Sequence, residues 1–343
     1  MKNKLNFFIK FLLKTKNITI YAYSYVKEKI LNFNDKENID IVFLWVDGDD
    51  PEHKRKKNLY LDKQEINRVI EEKAIKEYRW ANNDEINISL ILIEKFCPWV
   101  SNIWIITDKQ SPDLKLLPEY FRKKIKIVDH DEIFSGYENY LPTFNSRTIE
   151  TFLWRINGLS EKFLYFNDDM FITRPVSKND FFMSNKPVLR GKFKKFKKKS
   201  DISLHENGIL NGALMMNFDN KIFFKQAHAP YVLIKSHLEN LYKLHKEQFE
   251  KNAAYKFRSR EQFLSVSLFY HKCIIDKKYI IKYTKDYLHL SEIECKASPE
   301  EVLINSLKKI NKRKYKFICI NDLGSLKIKI PDFKNYFPKE LFD

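Results

Sequence analysis

Between residues 39 and 172 the apolar positions come in short unbroken runs, and most of these runs end in carboxylates. In "IDIVFLWVDGDDP", Ile41 to Val46 are apolar without alternation, and Asp47, Asp49 and Asp50 follow at once. An unbroken run of Ile, Val, Phe, Leu and Trp predicts a strand covered on both faces, as in a parallel sheet flanked by helices. The pattern recurs. "NIWIITD" ends at Asp108, "KIKIVDHDEI" carries Asp129, His130 and Asp131, and "KFLYFNDDMFI" holds Asn167, Asp168 and Asp169 inside an apolar stretch. Helical segments lie between. "NNDEINISLILIEKFCP" offers Asn82 as N-cap, Glu85 as its capping-box partner and Pro98 as a stop. "FNSRTIETFLWRINGL" sets Ile149, Phe152, Leu153 and Ile156 on one helical face and ends at Gly158. This order predicts a doubly wound α/β core.

In open α/β sheets the ligand crevice lies at the carboxyl ends of the strands. If these strands are parallel, their acids converge on one sheet edge. Adjacent carboxylates such as Asp168 and Asp169 repel unless something positive neutralises them. Oxygen ligands of this kind suit Mg²⁺ or Mn²⁺ held together with substrate phosphates. A plainer reading stays open: Asp47 to Asp50 as turn residues, and the Asp168–Asp169 pair bridged to Arg174 or Arg155.

The C-terminal half gives isolated polar signals. "QAHAPYVLIKS" places His228 in an apolar segment, where a hydrogen-bonded core histidine is the ordinary alternative to a functional one. "YKFRSREQFLSVSLFYH" starts with Arg258, Arg260 and Glu261 and predicts a helix, whose N-terminus favours anions. "KFICINDLGS" is a further strand-like run, ending in Asn321 and Asp322.

Composition narrows the class. The 343 residues, 44% hydrophobic and 15% aromatic, exclude disorder, and 7 glycines with 11 prolines leave little room for linkers. Four scattered cysteines without a CxxC pair point to single buried thiols in a reducing cytosol. Sixty-two Lys and Arg against forty-five acids, net +17, imply an anionic partner. The run "RGKFKKFKKK", within a basic insertion around 185–205, reads as a solvated loop; no zinc-finger, RNP-like or helix-turn-helix pattern accompanies it, so nucleic acid is not expected. Residues 1–37 form a basic amphipathic segment too charged to span a bilayer and without a signal-peptide cleavage site. It suits a helix lying on the cytoplasmic leaflet, or one packed on the body of the protein; the expectation is a cytoplasmic protein, peripheral at the inner membrane face.

These segments, in this order, resemble the Stealth family of sugar-phosphate transferases. That family includes bacterial capsular polysaccharide phosphotransferases and the α/β subunit of the lysosomal-enzyme N-acetylglucosamine phosphotransferase. "IDIVFLWVDGDDP" looks like the first family region and "NNDEINISLILIEKFCPWVSNIWIITDKQSPDL" like the second. "LPTFNSRTIETFLWRINGLSEKFLYFNDDMFITRPV" is a close match to the third, and "HAPYVLIKS", "FRSREQFLSVSLFYH" and "FICIND" are similar to the fourth. The likeness covers roughly 39 to 325 and implies one catalytic domain over 38–343. Its implied fold is a Rossmann-like, GT-A-like nucleotide-sugar-binding core with helical additions. The implied reaction moves hexose 1-phosphate from a UDP-hexose to a glycan hydroxyl, with UMP departing and Mg²⁺ or Mn²⁺ as cofactor. The runner-up is a metal-dependent glycosyltransferase releasing UDP.

The resemblance also assigns residues. His228 matches the family's catalytic histidine and is the candidate base; Arg258 matches an arginine expected to clamp diphosphate oxygens. Asp168 and Asp169 answer to metal ligands or sugar contacts, with Asn167 beside them. Asp47, counted with His228, Arg258, Asp168 and Asp169 in the expected catalytic set, and Asp49 are expected near the nucleotide, Gly48 allowing close backbone approach, and Asn145 and Ser146 as phosphate-facing donors. Asn83, Asp84, Glu85, Glu261, Asn321 and Asp322 complete the expected substrate-binding set. Three positions depart from the family pattern: Asn82 replaces an Asp, Asn87 an Arg, and Arg147 a His.

Overall fold

The structure, a computed structural model, describes residues 37–65, 74–76, 79–195, 202–218, 222–312 and 315–337. Residues 1–36, most of the expected membrane-contact segment, lie outside them. Among the described residues twelve strands run in chain order: β1 (Ile39–Leu44), β2 (Ile103–Thr107), β3 (Ile125–Asp129), β4 (Lys162–Asn167), β5 (Met170–Ile172), β6 (Phe182–Met183), β7 (Lys186–Lys195), β8 (Ile222–Gln226), β9 (Tyr231–Ile234), β10 (Ile280–Lys282), β11 (Tyr287–Leu290) and β12 (Phe317–Ile320). The main sheet has the order β3-β2-β1-β4-β9. Its first four strands are parallel, and β9 closes the edge antiparallel to β4. The expected α/β core is there, and its strand order reverses between β1 and β4.

The unbroken apolar runs are explained by burial: every residue of β1 and β2 is buried. Even Asp40 is fully enclosed. Its carboxylate accepts from Asn102 N and Nδ2, Trp104 Nε1 and Ser160 N at 2.9–3.1 Å, so four donors replace lost water and tie β1 to its neighbours. The four cysteines are free and buried, as expected. Among the described residues no helix is long and apolar enough to cross a membrane.

Local expectations needed revision in five places. The run 162–172 is two strands: β4 ends at Asn167, Asp168 and Asp169 turn the chain, and β5 joins a second sheet, β11-β12-β5. Helix α1 (Pro51–Glu65) follows the first acidic turn, and α2 (Glu85–Phe96) is capped at Asp84, not Asn82. Asp84 is left-handed (φ 70°), and the Glu85 carboxylate accepts Asn83 N at 2.6 Å instead of reaching Asn82. The segment after Phe144 is a short helix, α3 (Ser146–Glu150), and a 3₁₀ turn at Leu153–Arg155; Ile149, Phe152, Leu153 and Ile156 are buried all the same. Arg258 and Arg260 sit in a loop, because the following helix, α4 (Ser265–Ile275), starts seven residues beyond Arg258. The basic run is strand through Lys195, paired antiparallel with β8, so that part is not the solvated loop expected.

Candidate active site

A cleft of about 220 Å³ opens at the carboxyl ends of β1 and β4, where the sheet order reverses. That is where open α/β sheets hold their ligands. Trp45 and Val46 continue β1 into its wall; Asn167, Asp168 and Asp169 continue β4. The antiparallel register of β9, with Tyr231 opposite Tyr165, carries His228, three residues earlier in the chain, to the same end. The second sheet arrives from the other side. Ile320 N donates to Asp169 O at 3.0 Å, which brings Asn321 to the cleft. Helix α3 and its N-cap supply Asn145, Ser146 and Glu150, and the loop before α4 supplies Arg258.

The carboxylates crowd together. Burial, then Glu85, then Asp169 hold the Asp168 carboxyl well above its ordinary range. Burial pushes Asp169 up to about 6 against the opposing hydrogen bond from Asn321 Nδ2, which is 2.7 Å from Oδ2. Glu85 is raised by burial as well. Asp169 Oδ1 is buried with no hydrogen-bond partner among the described residues. Three carboxyl groups that each resist ionising, one with an orphaned oxygen, fit a divalent cation bound through oxygen.

The opposite wall is basic and imidazole-rich. Arg258 Nη2 donates to Ser146 Oγ at 2.8 Å, which fixes the guanidinium at the cleft. His228 stacks on His289 with ring centroids 4.1 Å apart and lies 4.7 Å from His205. Burial first, then His289, lowers His228 to about 3, so the ring is neutral and its Nδ1 has no partner among the described residues. His228, His289 and Cys319 place ligand atoms within 4.8 Å of one another. The two imidazoles lie face to face at 26°, so their in-plane lone pairs run side by side and do not converge on one metal.

The cleft thus gathers Glu85, Asn145, Ser146, Asn167, Asp168, Asp169, His228, Arg258 and Asn321. Asn145 is fully engaged in holding the fold: Oδ1 accepts Arg147 N, and Nδ2 donates to Gln262 Oε1 and Tyr255 O. Asp47, Gly48, Asp49, Asn83, Asp84, Glu261 and Asp322 do not line it. Asp47 is clasped through its backbone by Gln110 at 2.9 and 3.0 Å. Gly48 is needed because its backbone meets Trp80, whose carbonyl oxygen would lie 2.0 Å from a Cβ there. Asp49 makes an exposed ion pair with Lys54 at 2.8 Å, and Glu261 one with Lys251 at 3.4 Å. Asp84 holds Asn87, Asn83 O accepts Lys327 Nζ, and Asp322 caps the helix at Leu323–Lys329.

Sequence reading missed Glu150, His205 and His289. Glu150 sits beside an apolar helical stripe, and its carboxyl is raised to about 7 by burial while Arg258 and Tyr165 pull the other way. His289 is a polar residue alternating with Leu288 and Leu290 on β11, which reads as an ordinary strand. Arg147, where the family pattern has His, is buried in the cleft lining and donates to Ser259 O and Leu204 O at 2.9 and 2.7 Å, joining two loops there.

Two family models match: Stealth protein conserved region 1 over 37–65 and conserved region 2 over 79–189. The segments that read as separate second and third regions both fall within conserved region 2. The chain is 35% identical over 240 residues to an exopolysaccharide phosphotransferase, SCO6023, of Streptomyces coelicolor, covering 68% of this chain and 39% of that one. It is 41% identical over 160 residues to the capsular polysaccharide phosphotransferase cps1A of Actinobacillus pleuropneumoniae, covering 46% and 42%. It is 30% identical over 294 residues to the capsular polysaccharide phosphotransferase LcbA of Neisseria meningitidis, covering 84% and 78%. The chain therefore spans about two fifths of the first two relatives. Among solved structures, the galactosyltransferase LgtC bound to donor and acceptor sugar analogues aligns over 88% of this chain and 98% of that one, at 11% identity and a TM-score of 0.42.

Proposed function

The chain belongs to the Stealth family, and from that premise we propose that it transfers hexose 1-phosphate from a UDP-hexose to a hydroxyl of a growing capsular or surface glycan, releasing UMP. The observation that carries the reading is the meeting, in one cleft, of a buried carboxylate cluster whose Asp169 Oδ1 has no partner among the described residues, a neutral imidazole whose Nδ1 has none either, and an anchored arginine.

Attack on the β-phosphorus requires the acceptor hydroxyl to lose a proton, the diphosphate to be held in line, and negative charge to be neutralised. His228 takes the proton. It is unprotonated at any pH well above about 3, which is the form a base needs. A polyanionic donor nearby would raise its affinity for that proton, towards the near-neutral value at which a base works best. Arg258, restrained by Ser146, offers a planar pair of N–H donors to diphosphate oxygens. Asp168 and Asp169 would hold Mg²⁺ or Mn²⁺, which when bound neutralises diphosphate charge and stabilises the departing UMP. Asn321 keeps Asp169 oriented for that task. The net charge of +17 favours both an anionic donor and a phosphodiester product.

Purified protein incubated with a panel of UDP-hexoses, Mg²⁺ and oligosaccharide acceptors should release UMP. Release of UDP would make the protein a glycosyltransferase instead.

A further inference from the structure

We propose that His289 is a positioning residue that serves both halves of the cleft: its N–H fixes the amide that holds Asp169, and its ring face holds His228. The inference rests on the metal and base roles given above.

Strand pairing sets it up. In the parallel register of β11 on β12, His289 lies opposite Cys319, and Asn321 N donates to Leu290 O at 3.0 Å. Strand β12 in turn pairs with β5, with Cys319 opposite Met170. His289, Asn321 and Asp169 are thus carried on hydrogen-bonded strands, and little backbone freedom separates them. Their side chains form one directed chain. Asn321 Nδ2 is 2.7 Å from Asp169 Oδ2, and Asn321 Oδ1 is 2.5 Å from His289 Nε2.

The direction follows from chemistry. A carboxylate only accepts, so the amide nitrogen must face Asp169; turned over, the amide would set two acceptor oxygens 2.7 Å apart. The carbonyl oxygen therefore faces His289, and Nε2 must carry the proton. Without that donor the Asn321 amide has no reason to prefer one orientation over the other except Asp169 itself. Asp169 Oδ2 is thereby occupied and Oδ1 left unpaired. The second contact is steric. The His289 ring lies 4.1 Å from that of His228 at 26°, and restrains an imidazole whose Nδ1 has no hydrogen bond to hold it.

Two substitutions separate the contacts. His289→Phe keeps a flat ring and removes the N–H; His289→Gln keeps an amide donor and removes the ring. Mn²⁺ binding, read from the loss of the free-ion EPR signal, reports on Asp169, and turnover at saturating Mn²⁺ reports on His228. Partners of this kind typically change metal affinity by about 10–100-fold. His289→Phe should bind Mn²⁺ about 10-fold more weakly yet keep most of its turnover at saturating metal. His289→Gln should bind Mn²⁺ within about 3-fold of the parent and lose about 10-fold in saturated turnover, in keeping with the cost of a slightly misplaced reacting group. Parent-like Mn²⁺ affinity in His289→Phe would overturn the proposal. So would equal losses of both readouts in both variants, with a lowered melting temperature, since that is what a purely structural role gives. If the unaltered protein itself binds no Mn²⁺, the metal reading fails first and this inference falls with it.

Discussion

Two acidic turns follow two buried parallel strands, and they have different fates. After β1, Asp47, Asp49 and Asp50 are absorbed locally: Asp47 Oδ1 accepts Asp49 N, Asp49 pairs with Lys54, and Asp50 caps α1 through His53 N at 2.7 Å. After β4, Asp168 and Asp169 keep a raised proton affinity and an orphaned oxygen. An acid at a strand end becomes chemically interesting when the surrounding fold leaves it unneutralised. Side-chain type alone does not decide it. The distinction lies in the second sheet, which crowds the second turn and covers it.

The largest effect is expected at Asp169. Asp169→Asn should cut turnover by about 10³-fold, equivalent to about 4 kcal/mol of transition-state stabilisation, and weaken Mn²⁺ binding in parallel. A variant with full activity would put Asp169 on the same footing as the first turn. His228→Ala should lose about 10²-fold or more in kcat with little change in donor binding, the usual range for a missing base. Unchanged kcat would remove it from the reaction.

Glu150 sharpens the contrast through pH. Its carboxyl is raised from an ordinary 4.5 to about 7, chiefly by burial. The folded protein then holds a proton that the unfolded chain has released, so this contribution is complete below about pH 4.5 and is lost as pH rises through 7. The full swing is about 3 kcal/mol. Denaturant midpoints for the parent should therefore fall relative to Glu150→Gln between pH 5 and 8; parallel curves would refute it. The smallest effect is expected at Asp49→Asn. Its ion pair is exposed, and neither turnover nor melting temperature should change measurably. A large loss of activity there would restore the first acidic turn to the site.

Much of the sheet was readable in the chain. The runs at 39–46, 102–108 and 162–167 are apolar because both faces are covered, whereas β3 is the sheet edge, with Lys126 and Ile127 exposed, and its run is broken by lysines accordingly. Their parallel order put Asp168 at the correct edge. His228 was reached through resemblance, since its approach depends on β9 pairing antiparallel with β4, a contact between distant segments. His289 and Glu150 escaped for the same reason. Neither carries a local mark, and each acquires its surroundings from strands or loops far away in sequence. Breaks in regular structure were also hidden. The stripe through Ile149 and Ile156 is buried as expected, but the helix gives way to a 3₁₀ turn, and periodicity does not reveal such an interruption.

The most direct test of the account uses a UDP-hexose labelled with ³²P at the β-phosphate, together with Mg²⁺ and an oligosaccharide acceptor. The account predicts label in the glycan, resistant to phosphatase until the phosphodiester is cut, and unlabelled UMP in solution. Label recovered in UDP, with an unlabelled glycan product, would contradict it.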